Sequence, residues 1–197
     1  MGMKILMAPF SDEIVRNELN RAIEAVQRVC GPRDALWGQV VEFWPGRTHT
    51  NTREKRSEKI AIIRIREGRD FDFLRSDLLH ECVHLLNPWL VEGETTNLEE
   101  AAAMAVGLSE ELQGNRSFVS VNRGGLTKDP DPESHAYHAA LTDLESLTPD
   151  IFGLIRALRG DAGRSLSRDV KAEHILKLVD GCDEAVARRL CEQFKPT

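Results

Sequence analysis

A chain of 197 residues can bury a core large enough to fold without staples, as one large domain or as one domain with a helical appendage. Its formal charge of −6 argues against a nucleic-acid partner, and its four cysteines, Cys30, Cys82, Cys182 and Cys191, form no CxxC pair, so they read as ordinary thiols of a reducing compartment. The apolar start from Met1 to Met7 breaks at Pro9 and Asp12, short of a secretory core or a membrane span, which predicts a cytoplasmic chain with no membrane partner.

Ser11, Asp12 and Glu13 supply an N-cap and an acidic first turn. Val15, Leu19, Ala22, Ile23, Val26 and Val29 then recur at helical spacing up to the stop at Gly31-Pro32. Two β-type runs follow, Trp37 to Trp44 and Lys59 to Arg66, and the polar stretch from Gly46 to Ser57 between them predicts an exposed loop. Phe73, Leu74, Leu78, Leu79, Val83, Leu85 and Leu86 predict a second helix, which Asn87-Pro88 closes. A loop from Trp89 to Asn97 leads into a helix over Leu98 to Leu112, where Ala101, Ala102 and Ala103 favour close packing. The stretch from Gly114 to Glu133 holds Gly124, Gly125, Pro130 and Pro132 and predicts a long loop. Beyond it the pattern is helical near Ser134 to Leu147, Pro149 to Leu158 and Val170 to Phe194, broken by Gly160 to Ser165 and Gly181, with no internal repeat.

The second helix contains His80-Glu81-Cys82-Val83-His84. Residues four apart share a helical face, so His80 and His84 can aim two imidazole nitrogens at one point. Glu81 lies about 100° around the helix from His80, beside that point, where its carboxylate can take a proton from water and later deliver it to a leaving amine. The bland reading, two histidines capping a helical face, is weakened by Leu78, Leu79, Leu85 and Leu86, which place the motif among core residues.

A catalytic zinc needs a third protein ligand and an open position. The residues after His84 contain no third histidine at the spacing of a longer histidine motif, which leaves the acids Glu92, Glu94, Glu99 and Glu100 as candidates. The apolar stripe of Leu98, Ala101, Met104, Ala105, Leu108 and Leu112 lies about 100° from Glu100 and nearly opposite Glu99, so helical phase favours Glu100.

A helix carrying His80, Glu81 and His84, then a loop, then a helix opening Glu99-Glu100-Ala101-Ala102-Ala103-Met104-Ala105, resembles a minimal gluzincin of the ImmA/IrrE type of intracellular zinc peptidase. The resemblance covers about Phe71 to Leu112, with the upstream helix and strands consistent with it. It departs from the family pattern at Ala102, usually asparagine, and at Met104, usually aromatic; the family's usual helix-turn-helix partner domain is not evident. It implies Zn2+ held by His80, His84 and Glu100, with Glu81 as the catalytic base acting on a peptide or protein substrate. It also implies an α+β fold: a zincin-like domain with a small sheet and an active-site helix over residues 1–133, and a helical C-terminal region over 134–197 packed on that core. In such a fold the strand from Lys59 to Arg66 is expected at the sheet edge beside the cleft, where an extended substrate pairs with it.

Two weaker features remain. Tyr137 and His138 follow the expected long loop and could stabilise an oxyanion, although a solvent-facing helix start explains them as simply. Residues from Leu178 to Leu190 are similar to a helix-hairpin-helix element, but Asp183 and Glu184 would repel a phosphate, so a plain helical hairpin is the better reading. The rival functions are a degenerate zincin serving as a binding or regulatory module and a DNA-associated protein using that hairpin through Arg188 and Arg189.

Overall fold

Ser11 accepts a hydrogen bond from the Ile14 amide and so starts the first helix, α1 (Asp12–Cys30), which Gly31 ends at φ 92°. The computed structural model describes residues 10–44, 46, 48–51, 56–88 and 95–195. After α1 come β1 (Gly38–Trp44), β2 (His49–Asn51), a 3-10 turn (Arg56–Glu58), β3 (Ile60–Arg66), α2 (Phe71–His84) and α3 (Asn97–Gly107). They are followed by α4 (Glu110–Gln113), α5 (Arg116–Leu126), α6 (Pro132–Leu147), α7 (Ile151–Arg159), α8 (Ala172–Leu178) and α9 (Glu184–Leu190). The fold is mixed α+β, with nine helices and one three-stranded sheet among the described residues.

The sheet corrects two expectations. Its order is β1-β3-β2, with β3 parallel to β1 and antiparallel to β2, so the strand expected at the edge is the central one. β3 is paired on one side by β1 and on the other by β2, and its Ala61, Ile62, Ile63 and Ile65 are buried. The edges are β1 and β2, and β2 forms within the stretch expected to be loop. Its register pairs His49 with Arg64 and Asn51 with Ile62.

The long loop expected from Gly114 to Glu133 is instead half helix. Asn115 caps α5 by accepting from the Phe118 amide, and Val119 is buried on its inner face. Gly124 and Gly125 fall in the last turn, where a glycine costs least, and the two prolines lie beyond the helix, Pro132 in the first turn of α6. The break expected at Gly181 within Val170 to Phe194 separates α8 from α9, and Gly181 adopts φ 71°.

One core joins these elements. Val26 of α1, Ile63 of β3, Leu78 of α2, Ala102 of α3, Leu144 of α6, Ile155 of α7 and Leu190 of α9 belong to the same buried cluster. Helices α2 and α3 cross antiparallel at its centre, for Gly107 at the end of α3 meets Ser76 while Glu100 near its start meets His84. Asp70 caps α2 and Thr96 caps α3, each accepting from the amide three residues on. The crossing is close: the Ser76 hydroxyl donates to the Gly107 carbonyl at 3.0 Å, and a Cβ on Gly107 would lie 3.2 Å from the Ser76 carbonyl oxygen and 3.4 Å from His80 Cβ.

Alanine ordinarily stabilises a helical position over glycine by up to about 1 kcal/mol. At Gly107 the crowding reverses the sign, and Gly107→Ala is expected to lower stability by about 1–3 kcal/mol, read from urea denaturation. A variant as stable as the parent would show that the two helices can part at no cost.

Candidate metal centre

The α-helical repeat sets His80 and His84 one turn apart on the same face of α2, their ring centroids separated by 5.3 Å. Across from them, Glu100 projects from the first turn of α3. Its Oε2 stands 3.5 Å from His80 Nε2 and 3.6 Å from His84 Nε2, and the three ligand atoms lie within 4.8 Å of one another. These separations are too long for hydrogen bonds. Two ligand atoms on a tetrahedral zinc, each bonded at about 2.0–2.2 Å, stand about 3.4 Å apart, so the spacing suits an ion between them.

The state of Glu100 supports the same conclusion. Its Oε2 is buried and accepts no hydrogen bond, an arrangement that costs free energy unless a cation faces it. Burial pushes the Glu100 carboxyl up, but the His84 and His80 imidazoles outweigh that effect and lower it to about 2. Burial pulls the His84 imidazole down, but Glu100 and Glu99, with a smaller part from Glu81, raise it to about 10. The Glu100 and Glu99 carboxylates beside it thus favour the charged form of His84. His80, His84 and Glu100 can bind a metal ion, and their two imidazoles and one carboxylate form a donor set that zinc accepts.

Glu99, which helical phase put nearly opposite the apolar stripe of its helix, is only 5% exposed. Its Oε1 lies 2.8 Å from His84 Nδ1, so it engages the ring nitrogen that faces away from the metal position. The Ser167 hydroxyl donates to Glu99 Oε2 at 2.5 Å. The helical wheel of an isolated segment missed this because the face of α3 outside the stripe is covered by residues about seventy positions later. The only available signal was chemical: a ligating imidazole needs a partner for its second nitrogen, and an acid beside the third ligand can supply one.

Glu81 is buried, and the Thr50 hydroxyl of β2 donates to its Oε2 at 2.8 Å. Thr48 makes the equivalent bond to Asp77 Oδ2, so β2 is fastened to α2 along the metal-binding face. Neither threonine carried any sequence signal. A cleft of about 460 Å³ opens beside His80 and Glu81, with an apolar wall that includes Phe73, Met104, Phe118 and Leu126. Tyr137 lines it and meets the His80 ring edge-on at 6.0 Å between centroids, whereas His138 is not among the lining residues. Glu92 and Glu94 lie outside the described residues.

In the C-terminal hairpin, Arg188 pairs with Glu184 and Arg189 with Asp143, and Asp183 caps α9 by accepting from the Ala185 amide. Both arginines that a DNA contact would use are thus engaged within the chain. Among the described residues no helix is long and apolar enough to cross a membrane. No family model, curated protein or solved structure matches this chain.

Glu99→Gln keeps the size of the side chain but removes the charge that orients His84. Zinc affinity measured by competition with a chromophoric chelator is expected to fall about 10–100-fold. Unchanged affinity would mean that Glu99 serves packing alone.

Proposed function

We propose that the chain is a zinc-dependent hydrolase, specifically a metallopeptidase of the HExxH type with a zincin-like arrangement, acting on a peptide or protein substrate. The observation that carries this reading is the unpartnered, buried Glu100 Oε2 facing the Nε2 atoms of His80 and His84, with the Glu81 carboxylate buried on the same helix. The resemblance of the segment from Phe71 to Leu112 to the ImmA/IrrE type supports the same assignment.

His80, His84 and Glu100 hold the ion. Zinc bound there supplies Lewis-acid polarisation of a water and of the substrate carbonyl. Glu81 takes a proton from the attacking water and delivers it to the nitrogen of the leaving amine, as a general base and then a general acid. The Thr50 hydroxyl holds Glu81 Oε2, so the carboxylate keeps one orientation and turns its other oxygen to the proton. Tyr137 lines the cleft wall against His80, where a phenol can stabilise the oxyanion that develops on the carbonyl oxygen. The edge strand beside this cleft is β2, whose neighbour Thr48 lines it; an extended substrate adds to that edge by main-chain hydrogen bonds, and the apolar wall takes a side chain.

Three variants separate this reading from a zincin-like module without activity. His80→Ala and Glu100→Gln are each expected to lose stoichiometric zinc in elemental analysis of purified protein. Glu81→Gln is expected to retain zinc while hydrolysis of a fluorogenic peptide library falls about 10²–10⁴-fold. Full zinc in both ligand variants would sink the ligand assignment, and undiminished cleavage by Glu81→Gln would sink the mechanism.

A further inference from the structure

Each metal-binding histidine is backed by a residue far along the chain. Behind His84, Glu99 bridges to Ser167, and the Ser167 hydroxyl in turn accepts from the Thr96 amide at 2.9 Å. Ser167 therefore grips both the cap of α3 and the acid that orients His84. Beside His80, on the cleft wall, stands Tyr137, and the Phe194 ring packs on Tyr137 at 4.7 Å between centroids. Phe194 is itself fixed by its main chain. Its amide donates to the Thr95 carbonyl at 2.8 Å, Gln193 forms an antiparallel bridge with Thr96, and the Asn97 amide donates to the Glu192 carbonyl.

We infer that Ser167 and Phe194 are positioning residues of the metal centre: Ser167 fixes His84 through Glu99, and Phe194 fixes His80 through Tyr137. The inference rests on the zinc reading above and deepens it. An imidazole that must aim one nitrogen at an ion is held by what its other nitrogen and its ring face touch, and these partners transmit to the metal about as strongly as the ligands' own surroundings do. The segment Glu192–Phe194 lies along the first residues of α3, the same turn that presents Glu99 and Glu100, so all three ligands depend on one junction. The region after α6 is thus part of the site and not a separate appendage to it.

Zinc affinity of the full chain, measured by chelator competition, tests this without reference to catalysis, and the visible spectrum of the cobalt(II)-loaded protein reports ligand geometry. Ser167→Ala is expected to weaken zinc about tenfold alone and to have no further effect in a Glu99→Gln background, because it acts only through that carboxylate. Phe194→Ala is expected to weaken zinc about threefold and to shift the cobalt bands, again with no further effect in a Tyr137→Ala background. Arg189→Ala breaks the ion pair between α9 and Asp143 of α6 and loosens the same region without touching either relay; its zinc affinity and cobalt spectrum are expected to match the parent. Affinity of Ser167→Ala and Phe194→Ala within about twofold of the parent, losses that simply add in the double variants, or an equal loss in Arg189→Ala would each overturn the inference. A parent chain that takes up no zinc would overturn the metal reading and this inference with it, whereas tight zinc in the parent and in Ser167→Ala overturns the inference alone.

Discussion

A carboxylate oxygen buried between two imidazoles, with no hydrogen-bond donor of its own, dictates much of the arrangement around it. Glu100 Oε2 sits 3.5 and 3.6 Å from the two Nε2 atoms, and neither distance satisfies it. A buried charge in that state is tolerated only where a cation compensates it. To face each other in this way, α2 and α3 must cross with their backbones close. The residues that permit it are small: Ala103 is fully buried, and Gly107 lies where a side chain would press on His80.

The sheet contributes to this centre in an unexpected way. β3 is its middle strand, and Ala61, Ile63 and Ile65 on one of its faces belong to the buried core. The three-residue strand β2 makes the side-chain contacts to α2, because its Thr50 reaches Glu81 and its flanking Thr48 reaches Asp77.

The charges of the site form one coupled set. Glu81, Glu99 and Glu100 are all nearly inaccessible, and Glu100 and His84 shift in opposite directions because each faces the other. Outer partners share the same logic. Thr50 donates to Glu81, Ser167 donates to the acid that holds His84 Nδ1, and Tyr137, backed by Phe194, packs edge-on against His80. None of these partners is adjacent in sequence to the residue it supports.

By itself the sequence determined the features that depend on short-range periodicity. The spacing of His80 and His84, the place of Glu81 between them and the choice of Glu100 by helical phase all follow from 3.6 residues per turn, and so do the boundaries of α1 and α2 to within a few residues. Only the tertiary structure decided the rest. Whether Ile60–Arg66 is an edge or a centre depends on what pairs on its far side, and β2 is too short and polar to announce itself. The helix α5 forms despite two glycines because its cap and buried face outweigh local propensity. Glu99 looked solvent-facing on an isolated helix, yet Ser167 and the segment around Phe194 pack over that side. Local patterns fix which residues share a face, but burial and partnership depend on contacts between residues distant in the chain, which no periodicity encodes.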